Sequence, residues 1–435
     1  MSALYREGSR EISGLSGSLL YVSNMRGVGF GELVSVEPEA GEPLAGRVVY
    51  LCDEFCAVQV FEETTRLETA RTAVRMERDV LRVGVGEGLR GRVLNGRGTP
   101  IDGGGSGDAE EHPPVDGCPI NPMRRAVPSS AIETGLSALD ITNPLLLGQS
   151  VSLSAEPGLP VLEVAAEIVR SLARTPARGL EPGRNAPFLV VFAAVGLADG
   201  EAGLFAGAFG RENGAAKEIV LLNRVGDPVA ERLLAPHAAL TIAEHFAFVK
   251  GEDVLVVVAD MFRCGEAFGE LGLWGGEPLE EFALKSQIAG LCGRGGCLAD
   301  RPGSVTRLFV SGESGAHPFV RSIESSVEAR IVLSRRLHRQ GIFPPIDPLE
   351  SCPRLTGRAK GGQSGFRAAL AAGLRSAYAE SRRPARAGGA EGEAWRRFAE
   401  NFERRFLAQS GRRTLAQSEA LARELLTLLP PGAGS

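Results

Sequence analysis

The stretch Ser152 to Ala165, SLSAEPGLPVLEVA, has the setting of a phosphate-binding loop without its chemistry. A strand-like run, Ser150 to Ser154, leads in, and a helix-like run, Leu162 to Ala173, leads out. Between such elements a G-x-x-x-x-G-K-[ST] loop cradles phosphates with backbone N–H groups. Its lysine reaches the outer phosphates and its hydroxyl holds Mg²⁺. Here Gly158 is the one usable glycine, and neither the lysine nor the hydroxyl residue is present. Nothing in the loop then offsets phosphate charge or binds a metal. Glu156 adds a negative charge that repels a phosphate. Taken alone, the stretch reads as an ordinary turn before an ordinary helix.

Other chemistry-bearing residues are scattered. Seven cysteines (Cys52, Cys56, Cys118, Cys264, Cys292, Cys297, Cys352) form no C-x-x-C pair, and the five histidines (His112, His237, His245, His317, His338) do not cluster. This pattern implies reduced thiols, with no disulfide framework and no zinc site. The net charge of −5, from 48 basic and 53 acidic residues, argues against a nucleic-acid coat or a polybasic membrane tether. From Arg354 onward there are 15 Lys/Arg against 7 Asp/Glu. That basic excess reads as the solvated faces of helices, because few aromatics interleave the arginines. The N-terminus is too polar for a signal peptide, and no apolar run is long enough to span a bilayer.

These residues sit in a chain of 435, enough for two to three domains. Residues 1–76 carry short Val-, Leu- and aromatic-rich runs between turn signals, as in SLLYVSN, GELVSVEP, GRVVYL and CAVQVF, which suits a small closed β-barrel. A second β-rich stretch holds the turn dipeptides Asn95-Gly96 and Asp102-Gly103. From about residue 145 apolar strands alternate with helices. Ala186–Gly196, Glu218–Pro228, Asp253–Met261 and Val305–Glu313 read as strands buried on both faces of a mostly parallel sheet. Beyond Leu355 the strand signal stops and helices follow. Ser381–Ala394 reads as a flexible connector, and Trp395, Phe398, Phe402 and Phe406 mark one apolar helix face. The expected units are a barrel (1–76), an α/β domain (77–357) and a helical domain (358–435).

Several strings, in order, resemble the non-catalytic B subunit of V-type and archaeal-type rotary ATPases. They are GELVSV, AVQVFEETT (Ala57–Thr65), GRVLNGRGTPIDGG (Gly91–Gly104), PINPMRR (Pro119–Arg125), ETGLSALD (Glu133–Asp140) and NPLLLGQ (Asn143–Gln149). VVFAAVG (Val190–Gly196), VLVVVADM (Val254–Met261), SRRLHRQGIFPPID (Ser334–Asp347), PRLTG (Pro353–Gly357) and FERRFLAQ (Phe402–Gln409) continue the series. The resemblance implies a β-barrel, a RecA-like α/β core with a degenerate phosphate loop, and a C-terminal helical domain. It also implies a three-plus-three ring with catalytic A subunits, contacts with central and peripheral stalk subunits, and no nucleic-acid partner. The chain would then be cytoplasmic, meeting the membrane only through the complex.

By the same resemblance, relatives that cleave ATP carry a water-orienting glutamate after the next strand. The equivalent stretch here, Ala194-Val195-Gly196-Leu197, has none. Asp260 resembles the acid that steadies Mg²⁺ through water, but with the rest of the set missing it reads better as a strand-end cap. Arg354, in SCPRL, matches the arginine that B subunits project into the partner's ATP site. There its planar fork would bridge phosphate oxygens. The competing reading of Arg354 is a surface arginine. No cofactor-binding or metal-ligating residue is assigned to the chain's own site; ATP or ADP with Mg²⁺ is expected at the interface with the catalytic partner. Phe268–Gly296 is shorter than in the family and rewritten around Trp274, which reads as a packing residue. The alternatives are a degenerate scaffold with no role in hydrolysis and a stand-alone secretion-type RecA-like ATPase.

Overall fold

A computed structural model describes residues 8–9, 11–65, 67–105, 108–173, 188–208, 218–272, 288–313, 317–353, 362–383 and 389–430. The N-terminal part is a seven-stranded antiparallel sheet. Its strands are β1 (Gly8–Ser9), β2 (Ile12–Ser16), β3 (Leu19–Ser23), β4 (Glu32–Pro38), β5 (Leu44–Leu51), β6 (Phe55–Val60) and β7 (Thr72–Val80), in the order β1-β7-β4-β5-β6-β3-β2. The outermost strands of that order, β1 and β2, are joined by two residues, so the sheet must curl until its edges meet. The Ser9 hydroxyl donates to the Ser23 carbonyl at 2.7 Å across that seam. Alternate residues Leu20, Val22, Val34, Val36, Val48, Val58, Val60 and Val74 fill the inside, as the period of two requires.

The large sheet holds the parallel strands Ser150–Ser154, Leu189–Leu197, Glu218–Arg224, Asp253–Ala259, Ser304–Ser311 and Ala329–Val332. Cys352–Pro353 pairs antiparallel at one edge, and Val93–Leu94 pairs parallel at the other. The β-rich stretch around Asn95-Gly96 thus adds two residues to this sheet; its Asn95 turn closes with the Asn95 side chain accepting from Arg97 and Thr99 N–H groups. Along Leu189–Val195 odd residues pack into one apolar cluster, while Val190, Phe192 and Ala194 pack into the other. Both faces are covered, which is why these strands read as continuous apolar runs.

The helix Val229–Phe248 covers one face. Helix Val161–Ala173 covers the other and shares its cluster with the C-terminal helices Gly362–Ser381, Gly389–Asn401 and Leu415–Leu426. Trp395, Phe398, Phe402 and Phe406 are all buried there, with the helix widening into π turns over Phe402–Leu407. The stretch read as a connector to Ala394 is already helical from Gly389. Acidic residues near a helix N-terminus favour such a start, and Glu391 lies in its first turn. Thr414 closes a capping box with Gln417 and sets where the last helix begins.

The helical domain is stapled to the α/β domain through Thr134–Asp140. The buried Asp140 carboxylate accepts from Thr134 N–H (2.8 Å), Thr134 Oγ1 (2.7 Å) and Gly135 N–H (2.8 Å). The turn so formed offers the Gly135 carbonyl to Gln409 Nε2 and to the Arg413 N–H. Ser137 N–H donates to Gln409 Oε1 at 3.0 Å, and the Ser137 and Ser418 hydroxyls meet at 2.9 Å. Gly135 has φ +74° and the Arg412 side chain lies where a Cβ would be, so a larger residue is strained at this position and must displace Arg412.

Candidate phosphate-loop site

The parallel strands end together on one edge of the sheet, at Ser154, Leu197, Ala259, Ser311 and Val332. Ligands of open α/β sheets bind at this carboxyl edge. The loop Ala155–Pro160 lies there, between strand Ser150–Ser154 and helix Val161–Ala173. Ala155 N–H donates to the Ser311 carbonyl at 3.1 Å, and Leu159 N–H to the Glu156 carbonyl at 3.3 Å. Pro157 and Pro160 have no N–H, which removes two donors that a phosphate cradle would use. Gly158 turns the chain at φ +81°.

A cation does reach the loop, from a residue that no motif singles out. Arg335 opens the short helix Arg335–Arg339, just after the strand Ala329–Val332 that flanks the loop's own strand. Its Nε donates to Glu156 Oε2 at 2.6 Å and its Nη2 to the Pro157 carbonyl at 2.8 Å. The two side chains are 39% and 58% exposed, so water and salt screen the pair and its contribution to stability is small. Its effect on the loop is chemical: the carboxylate neutralises the guanidinium, and the loop has no net positive charge to offer a phosphate. The signal in the sequence is the double arginine of SRRLHRQG, but only the strand order brings it to residue 156.

Asp260 is nearly buried at the end of its strand. Oδ1 accepts from Phe262 N–H at 2.8 Å, and Oδ2 from Gly312 N–H at 3.2 Å. Burial raises its pKa, opposed by these two donors. The side chain caps helix Met261–Gly272 and ties the strand to its neighbour. Both oxygens are thus engaged, and the loop offers no hydroxyl. Among the described residues of this edge, the set does not fit a nucleotide-bound Mg²⁺.

Where a water-orienting glutamate would be expected, Gly196 and the buried Leu197 occupy the strand end. Gly196 N–H donates to Asn223 Oδ1 at 3.1 Å, and its carbonyl accepts from Arg263 Nη1. The glutamate nearest in sequence is Glu201, in the first turn of helix Asp199–Ala208. It accepts from Ala198 N–H at 2.8 Å and from Arg263 Nη2 at 3.2 Å, so it holds its own helix start and one arginine.

Arg354 lies outside the described residues, as do Trp274 and residues 273–287 of the rewritten segment. The chain is described as far as Pro353, and its approach is tightly framed. Asp347 N–H donates to the Val332 carbonyl at 2.8 Å, and Asp347 Oδ1 accepts from Leu349 and Glu350 N–H groups. The buried Ser351 takes the Val332 N–H on its hydroxyl at 3.0 Å, just before Cys352 pairs with Arg330.

The architecture is a β-barrel, a parallel sheet covered on both faces and a helical domain docked on it, and comparison with known proteins gives its class. The chain belongs to the ATP synthase alpha/beta family. The family's nucleotide-binding domain matches residues 135–353 and its beta-barrel domain residues 12–78. Within the family, the chain is 36% identical to the V-type ATP synthase beta chain of Thermus thermophilus, over 97% of this chain and 92% of the relative, and the match is the same in two strains of that organism. Among the described residues no helix is long and apolar enough to cross a membrane.

Proposed function

We propose that this chain is the non-catalytic, regulatory B subunit of a V/A-type ion-translocating ATP synthase or ATPase. It forms an alternating three-plus-three ring with catalytic A subunits and lends Arg354 to the partner's ATP site. The observation that carries the reading is the loop Ala155–Pro160, which has neither lysine nor hydroxyl and whose neighbouring cation is neutralised by its own Glu156. Similarity to a V-type ATP synthase beta chain over nearly the whole length supports the same reading. The barrel of 1–76, the α/β domain of 77–357 and the helical domain of 358–435 serve as ring units, with stalk subunits as further partners. ATP or ADP with Mg²⁺ is held at the interface, by the partner's phosphate loop. The chain alone is no ATPase. It works in the cytoplasm, peripheral to the membrane, through the complex.

Arg354 places positive charge where negative charge develops in phosphoryl transfer, so its removal lowers rate more than assembly. Arg354→Ala is expected to lower steady-state ATP turnover of reconstituted rings by about 10³-fold or more, with ring formation intact by native mass measurement. Arg354→Lys does not restore full rate, because a point charge lacks the planar fork. Wild-type turnover by the alanine ring would leave the chain a scaffold.

A further inference from the structure

The contact between Glu156 and Arg335 has the parts of an occupied anion site, with the anion supplied by the chain itself. The guanidinium directs Nε to the carboxylate at 2.6 Å and Nη2 to the Pro157 carbonyl at 2.8 Å. One arginine thus holds both the side chain and the backbone of the loop's first turn. Glu156 follows directly on the buried Ala155 at the end of a central strand, and Arg335 follows an adjacent parallel strand; both backbones are fixed by the sheet. The neighbouring Arg336 is anchored as well: its Nη1 meets Glu403 at 2.8 Å, and Tyr378 donates to the same carboxylate at 2.6 Å. Arg335 is therefore presented to the loop by a helix that the C-terminal domain holds in place.

We propose that Glu156 is a built-in substitute for a phosphate: its carboxylate occupies the anion-binding face of Arg335 and keeps the loop closed to phosphate-bearing ligands. The proposal rests on the reading of this loop as one that takes no nucleotide, and it adds the reason. Losing the lysine and the hydroxyl would leave a weak anion site, since Arg335 holds a guanidinium against the loop's first turn. The internal carboxylate is held next to the guanidinium at a high effective concentration, which a free oxyanion must outcompete. Removing it uncovers the cation.

The test uses the isolated full-length chain, so its outcome is independent of ring activity and of Arg354. Pyrophosphate binding is measured by calorimetry, and its effect on Tm at constant ionic strength, for wild type, Glu156→Ala, Glu156→Gln and the double variant Glu156→Ala with Arg335→Ala. The wild-type chain is expected to show no saturable binding. Both single variants bind pyrophosphate roughly ten-fold or more tightly than wild type, and their Tm rises with pyrophosphate where that of wild type does not. The double variant loses both responses. Equal affinity in wild type and the single variants overturns the proposal, and so does pyrophosphate binding that persists without Arg335. Glu156→Gln preserves side-chain size and keeps the test valid if alanine disturbs the loop.

Discussion

Helix Val161–Ala173 has a carboxylate-bearing turn at each end, and the two turns are built on opposite principles. At its N-terminal end Glu156 is exposed and meets one guanidinium. Near its C-terminal end the Ser171 hydroxyl donates to the Thr134 carbonyl, and the turn there is organised by Asp140, 6% exposed and accepting three hydrogen bonds. Both are acids set close to the ends of one helix. The first decides what charge the carboxyl edge shows to a ligand, at little energetic consequence. The second decides how the helical domain sits, through Gly135, Ser137, Gln409 and Arg413. Burial is the whole difference: a screened pair adjusts chemistry, whereas a desolvated carboxylate costs several kcal/mol if any donor is lost.

The largest loss of stability is expected on the C-terminal side. Phe402 is buried between Phe398 and Phe406, with ring centroids 5.8 and 5.2 Å away, in the cluster on which the Asp140 turn rests. Phe402→Ala is expected to cost about 3–5 kcal/mol, read by urea denaturation followed by tryptophan fluorescence from the buried Trp395. A loss below about 1 kcal/mol would mean that the helical domain adds little to the common core.

Asp140→Asn is next. An amide cannot accept at both atoms, so one nitrogen must face a donor of Thr134 or Gly135. The expected cost at neutral pH is about 1–3 kcal/mol by the same denaturation. An unchanged midpoint would show that the turn survives without its carboxylate.

Burial pushes the Asp140 carboxyl up to about 6, against the pull of its three donors. The native state then binds this proton more tightly than the unfolded chain. The penalty for ionising Asp140 is fully present above pH 6 and is relieved as pH falls toward the ordinary carboxylate range near 4. Wild type should therefore gain stability relative to Asp140→Asn between pH 7 and pH 5, by about 1 kcal/mol or somewhat more. Thermal melts of both across that window test the sign; a gap that narrows on acidification contradicts it.

Glu156→Gln, at the other end of the helix, should change stability by well under about 1 kcal/mol. A larger loss in the same denaturation assay would make the Glu156–Arg335 contact a structural staple and erase the contrast between the two turns.

Much of this was legible in the residues. The strand and helix around the loop begin and end within one residue of where the apolar runs place them, since Ser150–Ser154 and Val161–Ala173 need only their own periodicity. Trp395, Phe398, Phe402 and Phe406 announced their buried face by spacing alone. The emptiness of the loop was equally plain, because a missing lysine is a local fact. Arg335 was not legible. It stands 179 positions from Glu156, and nothing in SRRLHRQG says which turn it will meet.

The sequence by itself determined the order of units, the identity of the loop and the absence of its phosphate-binding side chains, because each follows from residue type and near-neighbour spacing. The tertiary structure alone decided where charge is cancelled and which carboxylates are desolvated. Setting strand Ala329–Val332 beside Ser150–Ser154 delivered Arg335 to Glu156. Docking the C-terminal helices over Thr134–Asp140 completed a buried turn whose acid would look ordinary in the chain. Coulomb interactions and desolvation depend on distance in space, and a parallel sheet makes neighbours of residues that the chain keeps far apart.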